Sequence, residues 1–159
     1  MNTEKELRAR LAGMLDSTHA HASFDDAVAE FPAHLRGTRL DGIPYSAWEL
    51  LEHMRIAQWD ILEFSRNPQH TSPAWPEGYW PEGPEPPDAR AWEASVDAFR
   101  RDLRAMQDLV RDAGRELWAP FPHGTGQDLL REVLLVADHN AYHLGQLILL
   151  RRALGAWDG

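Results

Sequence analysis

The chain has 159 residues, a mass of 18.1 kDa and 43% apolar residues, so we expect one domain spanning residues 1–159. Its 16 Lys and Arg residues against 25 Asp and Glu residues give a formal net charge of −9. This charge opposes binding to nucleic-acid phosphates and to anionic membranes, so we expect neither partner. Cysteine is absent, which excludes thiolate metal sites and cysteine nucleophiles, so any metal ion must be held by His, Asp or Glu.

The amino-terminal segment and the overall hydropathy bear on localisation. The first ten residues, MNTEKELRAR, mix charges without an apolar h-region. No stretch approaches the roughly 20 consecutive apolar residues that a membrane span needs. These features predict a cytoplasmic protein.

Helix start signals begin at the amino terminus. Thr3 and Glu6 form a capping box that predicts a first amphipathic helix. The segment SFDDAVAEFP predicts a short helix with Ser23 as its N-cap, and Pro32 ends it.

A second long helix is followed by a proline-rich segment. Ser46 and Glu49 form a capping box, and apolar residues at helical spacing extend the helix to about Ser65. Residues 67–87 hold seven of the 11 prolines, so no regular element can persist there. Because aromatic rings gain most from burial, we expect a long loop packed on the helices, although a disordered linker is the alternative. The aromatic residues in question are Trp75, Tyr79 and Trp80.

Two further long helices complete the predicted fold. Asp88 is the predicted cap of a third helix, which ends near Gly114. Thr125 with Asp128 opens the last helix, which stops near Gly155. Since no strand pattern of period two competes, we predict an all-α fold. Its architecture is a four-helix bundle with a long proline-rich loop between the second and third long helices.

Two histidines on the last predicted helix are spaced for metal binding. His139 and His143 stand four residues apart, which stacks both rings on one helix face. That face is mostly apolar and also carries Gln146, so the pair should point inward, where a divalent cation satisfies both lone pairs. Taken alone, the pair favours hydrogen-bonded core histidines, because two histidines four residues apart occur by chance on many helices. Asn140 stands where zinc proteases of the HExxH type have glutamate, so that class is excluded.

A catalytic metal site needs a third ligand, and His53 near the middle of the second long helix is the candidate. It lies on an apolar stripe interrupted by a few polar groups. Glu49, one turn earlier, could accept the second ring N–H of that histidine. Asp60 or Asp138 could serve instead. Capping or a surface ion pair explains these carboxylates better, however, and the capping box already engages Glu49. Trp48 could line a pocket beside the site.

The other histidines are weaker candidates. His34, His70 and His123 lie in predicted loops, and we expect them to be solvated. His19 and His21 are predicted at the end of the first helix, where the helix dipole favours imidazolium.

The segments SAWELLEHMRIAQWDIL and DHNAYHLGQL, separated by a long connection, resemble the DinB/YfiT-like superfamily. The resemblance is close over the second and last long helices, whereas the first helix and the proline-rich loop fit only in length and general character. It implies a four-helix bundle that holds a divalent metal ion, usually zinc or nickel, and that often forms a homodimer. The positions that match the family's ligands are His53, His139 and His143.

The resemblance also implies a range of activities. Members of the superfamily include thiol S-transferases that use bacillithiol or mycothiol, and a mycothiol-dependent maleylpyruvate isomerase. We therefore expect a metal-dependent enzyme that acts on a small-molecule substrate, with a low-molecular-weight thiol as its cosubstrate. A metal-dependent hydrolase, a non-catalytic metal- or ligand-binding bundle, and a packing scaffold with hydrogen-bonded histidines stay open as alternatives.

The imidazole ligands influence which metal ion is preferred and how metal binding depends on pH. Imidazole ligands favour zinc, nickel, cobalt or copper over magnesium or calcium, which prefer oxygen. Because protons compete for the same nitrogens, three ordinary imidazoles predict loss of the metal below roughly pH 6.

Overall fold

The computed structural model of the chain describes residues 3–16 and 20–157. Over these residues the protein is helical and contains no strand, which confirms the predicted all-α class. Two 3-10 turns, Ala33–Leu35 and Glu77–Tyr79, lie in the connections. No helix in the described part of the chain is long and apolar enough to cross a membrane. Within the two described ranges the α-helices number five: α1 (Thr3–Leu15), α2 (Phe24–Val28), α3 (Ala47–Arg66), α4 (Ala91–Arg111) and α5 (Leu129–Ala153).

Capping boxes begin two of these helices. The Ser46 hydroxyl accepts the backbone N–H of Glu49 (3.2 Å), and the Glu49 carboxylate accepts the backbone N–H of Ser46 (2.8 Å). Ser23 and Asp26 exchange the corresponding contacts at the start of α2. Both N-caps were predicted correctly, because a capping box depends on residues only three positions apart.

Other predicted helix ends are displaced. Asp128 alone is the N-cap of α5, since its side chain accepts the backbone N–H three residues later (2.8 Å). The start predicted at Thr125 is therefore wrong by one turn. Helix α1 ends at Leu15, so the prediction that His21 ends this helix is also wrong. His19 lies outside the described residues.

Two apolar clusters show how the long helices run. The first cluster joins the starts of α3 and α4 to the end of α5, and the second joins the ends of α3 and α4 to the start of α5 and to α1. It follows that α3 and α4 are parallel to each other and that α5 is antiparallel to both. Representative members are Leu50, Trp92 and Leu147 in the first cluster, and Leu11, Leu62, Met106 and Val133 in the second.

Parallel neighbouring helices require a connection that returns along their length, and residues 67–90 provide it. Helix α3 has 20 residues, which corresponds to about 30 Å at about 1.5 Å per residue. The connection contacts α3 in reverse order, from the end of the helix to its start. These contacts pair His70 with Asp60, Tyr79 with His53, and Pro84 with Ser46.

The aromatic residues of this connection differ in burial. Tyr79 and Trp80 are half-buried against the helices, in agreement with the prediction for this segment. Trp75 is 74% exposed, so the prediction is wrong for that ring.

Candidate metal centre

Three histidine side chains meet between α3 and α5. His53 comes from the middle of α3, and His139 and His143 come from the middle of α5. One nitrogen of each ring lies within 4.8 Å of one nitrogen of each of the others, and His53 and His143 are buried. In the part of the chain that the structure describes, no other three His, Asp or Glu side chains bring potential ligand atoms together in this way.

The outer nitrogens of two of these rings have oxygen acceptors. His53 Nδ1–H donates to the backbone carbonyl of Tyr79 (2.9 Å), and His143 Nδ1–H donates to Oε1 of Gln146 (2.7 Å). A neutral imidazole that is protonated at Nδ1 carries its lone pair on Nε2. Both lone pairs are therefore on Nε2, and hydrogen bonds of this kind fix the tautomer in metal sites. Without a metal ion, the Nε2 lone pair of His53 accepts a hydrogen bond from His139 Nε2–H, a contact that a bound ion would replace.

The third ring brings its Nε2 atom to the same point. Nε2 of His139 lies 3.1 Å from Nε2 of His53. Bonds of about 2.1 Å place two nitrogen ligands of a tetrahedral zinc ion about 3.4 Å apart, so the observed separation differs by only a few tenths of an ångström. The three imidazoles therefore fit a divalent transition-metal ion in donor type, and His53 and His139 also fit it in spacing.

Aromatic rings cover one side of the cluster. The ring of Trp80 lies flat on His53, with centroids 3.9 Å apart and an interplanar angle of 3°. Tyr45 stacks on Trp80 (4.4 Å), and Tyr142 meets the His143 ring edge-on (4.8 Å). We did not predict Trp80 as a site residue from sequence, because its position depends on the path of the long connection.

Burial keeps the imidazoles in the form that binds metal. Loss of solvent lowers the pKa of His53 and of His143 below the usual value of 6.5. Desolvation, reinforced by the two neighbouring rings, lowers the pKa of His139 to about 4. All three rings are thus neutral near pH 7, and a neutral imidazole offers its lone pair to a metal ion.

Two carboxylates suggested by the sequence as supports for the cluster lie elsewhere. Glu49 accepts the Ser46 backbone N–H and pairs with Arg39, so its oxygens are engaged and do not accept the ring N–H of His53. Asp138 is exposed on α5. Neither carboxylate supports the rings as the sequence suggested.

Asp60 contacts the long connection instead of a cluster ring. It accepts hydrogen bonds from His70 Nε2–H and from the Tyr79 hydroxyl, both 2.7 Å long. The expectation that His70 is solvated is wrong, since its side chain is only 7% exposed. His123 is also engaged, because its Nε2–H donates to the backbone carbonyl of Phe64 (2.8 Å).

The remaining two candidate residues differ in their relation to the cluster. Gln146 contacts His143 directly, one turn further along α5. Trp48 is buried in the apolar cluster at the start of α3. The indole that covers His53 is Trp80 instead.

The lowered pKa values change the expected pH dependence of metal binding. Unfolded histidines titrate near pH 6.5, whereas the pKa values of these folded rings are lower. The free energy of unfolding therefore falls gradually as the pH drops from about 6.5 toward 4, because the unfolded chain binds protons more readily. Within the folded chain, protons compete with the metal ion for the ring nitrogens only at the lower pH of the folded pKa values. We expect the metal to be retained below the roughly pH 6 limit of ordinary imidazoles. Metal content after dialysis from about pH 8 to about pH 4 measures this dependence. Half-release at pH 6 or above would contradict it.

The comparison with known families agrees with this geometry. The family model of the DinB superfamily matches residues 3–147, a range that begins with α1 and includes all three histidines. No curated protein and no solved structure matches the chain. Because the family match covers most of the sequence, the chain belongs to the DinB superfamily.

Proposed function

We propose that the chain binds one divalent metal ion, zinc or nickel, through His53, His139 and His143, and that it is a metal-dependent enzyme. The convergence of three neutral imidazoles from two helices carries this proposal. Membership of the DinB superfamily supports it. The packing of α3 against α4 and α5, and of α1 against α4, also supports the four-helix bundle that the resemblance implies.

The number of ligands favours catalysis over a purely structural ion. Structural zinc sites have four protein ligands, whereas catalytic sites have three and leave a position for a reactant. A bound ion of this type supplies a positive charge that lowers the pKa of a coordinated thiol or water. The protein holds the rings through Tyr79 and Gln146 and shields one side with Trp80.

We propose thiol transfer ahead of hydrolysis as the reaction. Hydrolytic sites generally add a carboxylate or another general base beside the metal. No carboxylate among the described residues hydrogen-bonds to the three rings. A thiol needs no such base once its proton has passed to solvent, because its sulfur can then bond to an electrophilic carbon as the leaving group departs with its electron pair.

Elemental analysis of protein purified without a His-tag tests the metal proposal. We expect about one zinc or nickel ion per chain, because one three-histidine cluster is present. Bacillithiol, mycothiol and glutathione are then assayed with 1-chloro-2,4-dinitrobenzene, and at least one should react faster with the protein than without it. If the purified protein contains no metal, the proposed metal site is wrong. If the metal-loaded protein accelerates the reaction of none of the three thiols, thiol transfer is contradicted and the non-catalytic bundle is favoured. The homodimer stays a prediction.

A further inference from the structure

One buried carboxylate anchors the long connection to α3. Asp60 is 8% exposed, and its two oxygens accept separate hydrogen bonds, one from His70 Nε2–H and one from the Tyr79 hydroxyl. Both bonds are 2.7 Å long, as expected for hydrogen bonds to an ionised acceptor. Asp60 thus holds two separate points of the connection against a single position on α3.

Tyr79 links this anchor to the histidine cluster. Its hydroxyl binds Asp60, and its backbone carbonyl accepts the Nδ1–H of His53. His53 and Asp60 are seven residues apart on α3, which corresponds to two helical turns on one face and to about 10 Å. Tyr79 therefore spans the distance between them, and the next residue, Trp80, lies on the His53 ring.

We propose that Asp60, acting through Tyr79, positions His53 for metal binding. The carboxylate fixes the tyrosine, and the tyrosine carbonyl holds His53 in the tautomer that leaves Nε2 free. This inference rests on the proposed metal site and adds two positioning residues to it. Neither residue contributes a ligand atom.

The Tyr79 hydroxyl is a suitable hydrogen-bond donor to Asp60. Burial and the hydrogen bond to Asp60 raise the pKa of Tyr79 to about 12. The 2.7 Å contact shows the hydroxyl as a hydrogen-bond donor to Asp60. Without that hydroxyl, Asp60 still binds His70, but the carbonyl that orients His53 loses its link to α3 and keeps only the restraints within the connection, such as the Tyr79 N–H bond to Pro76.

The variant Tyr79→Phe tests the link, because it keeps the ring and removes only the hydroxyl. We expect the zinc dissociation constant, measured by competition with a chromophoric chelator, to rise about 10-fold, as for other contacts that orient metal ligands. In the metal-free protein, long-range ¹H–¹⁵N NMR should show His53 changing from the Nδ1–H tautomer to a mixture. If the hydroxyl had only a structural role, Tyr79→Phe would lower the stability of the protein without changing the His53 tautomer.

Tyr45→Phe is the matched control. Tyr45 stacks on Trp80, but the structure shows no hydrogen bond of its hydroxyl to any described residue. We expect this variant to keep the wild-type dissociation constant and tautomer. Asp60→Ala should reproduce the effect of Tyr79→Phe, and the double variant should add little, because both changes break one chain of contacts.

The outcomes separate this inference from the metal proposal. If wild-type protein binds no zinc, the metal site fails, while the NMR comparison in metal-free protein still decides whether Tyr79 orients His53. If wild-type protein binds zinc and Tyr79→Phe keeps both its affinity and the His53 tautomer, the positioning role is overturned.

Discussion

His143→Ala is expected to weaken zinc or nickel binding by more than about 100-fold, beyond the range seen when only an outer contact is lost. Alanine removes one of three candidate ligand nitrogens and leaves His53 and His139 as a pair. Two imidazoles provide only half of the four ligands that zinc prefers, so solvent must complete the set. The metal-dependent reaction should be lost together with the ion.

Isothermal titration of the metal-free protein, followed by elemental analysis after gel filtration, measures this effect. His34→Ala is the matched control, since His34 is exposed in the Ala33–Leu35 turn. The control should bind like the wild type. Equal metal content in His143→Ala and wild type would contradict the assignment of this ligand. Equal thiol-transfer rates in the two proteins would contradict the enzymatic proposal.

Arg8→Ala is expected to lower the free energy of unfolding by about 3 kcal/mol, because hydrogen bonds to a charged group contribute about 1.5–3 kcal/mol and Arg8 makes several. Arg8 is 4% exposed, and its guanidinium donates to the backbone carbonyl of Val110 in the last turn of α4 and to those of Asp112 and Arg115 just after it. The last carbonyls of a helix lack partners within the helix. Alanine would leave the carbonyls of Val110 and Arg115 without this donor, whereas the Asp112 carbonyl would keep the backbone N–H of Arg115. It would also break the ion pair with Glu4.

Urea unfolding monitored by circular dichroism gives the change in free energy. Arg10→Ala is the matched control, because Arg10 is exposed on the same helix and should change stability by less than about 0.5 kcal/mol. A loss below about 1 kcal/mol in Arg8→Ala would show that Arg8 contributes no more than a surface arginine. The cluster of His53, His139 and His143 should be unaffected, since it lies between α3 and α5, whereas Arg8 contacts the last turn of α4.

The sequence predicted those features that depend on neighbouring residues. The capping box of Ser46 and Glu49 lies within one helical turn, so residue identity and spacing are sufficient to find it. The placement of His139 and His143 on one face of α5 follows from helical periodicity in the same way. The match to the DinB superfamily agrees with the resemblance seen in α3 and α5.

The orienting partner of His53 shows where sequence reasoning failed. Helical spacing made Glu49 a candidate acceptor, but the sequence also assigned it to the capping box, and the structure shows that the capping box and Arg39 engage its carboxylate. The actual acceptor is the backbone carbonyl of Tyr79, 26 residues further along the chain. A backbone carbonyl is present at every residue, so the sequence alone does not mark which one is used.

The sequence by itself thus determined the helices, the N-caps at Ser23 and Ser46 and the three histidines on inward faces, because these depend on contacts within a few residues. Only the tertiary structure decided that His53 meets the α5 pair and that Tyr79 and Trp80 contact the His53 ring. It also decided that Arg8 donates to a carbonyl in the last turn of α4, 102 residues away in the sequence. The physical reason lies in the parallel arrangement of α3 and α4. It makes residues 67–90 retrace α3, and that path brings a loop carbonyl and an indole ring to the middle of the helix.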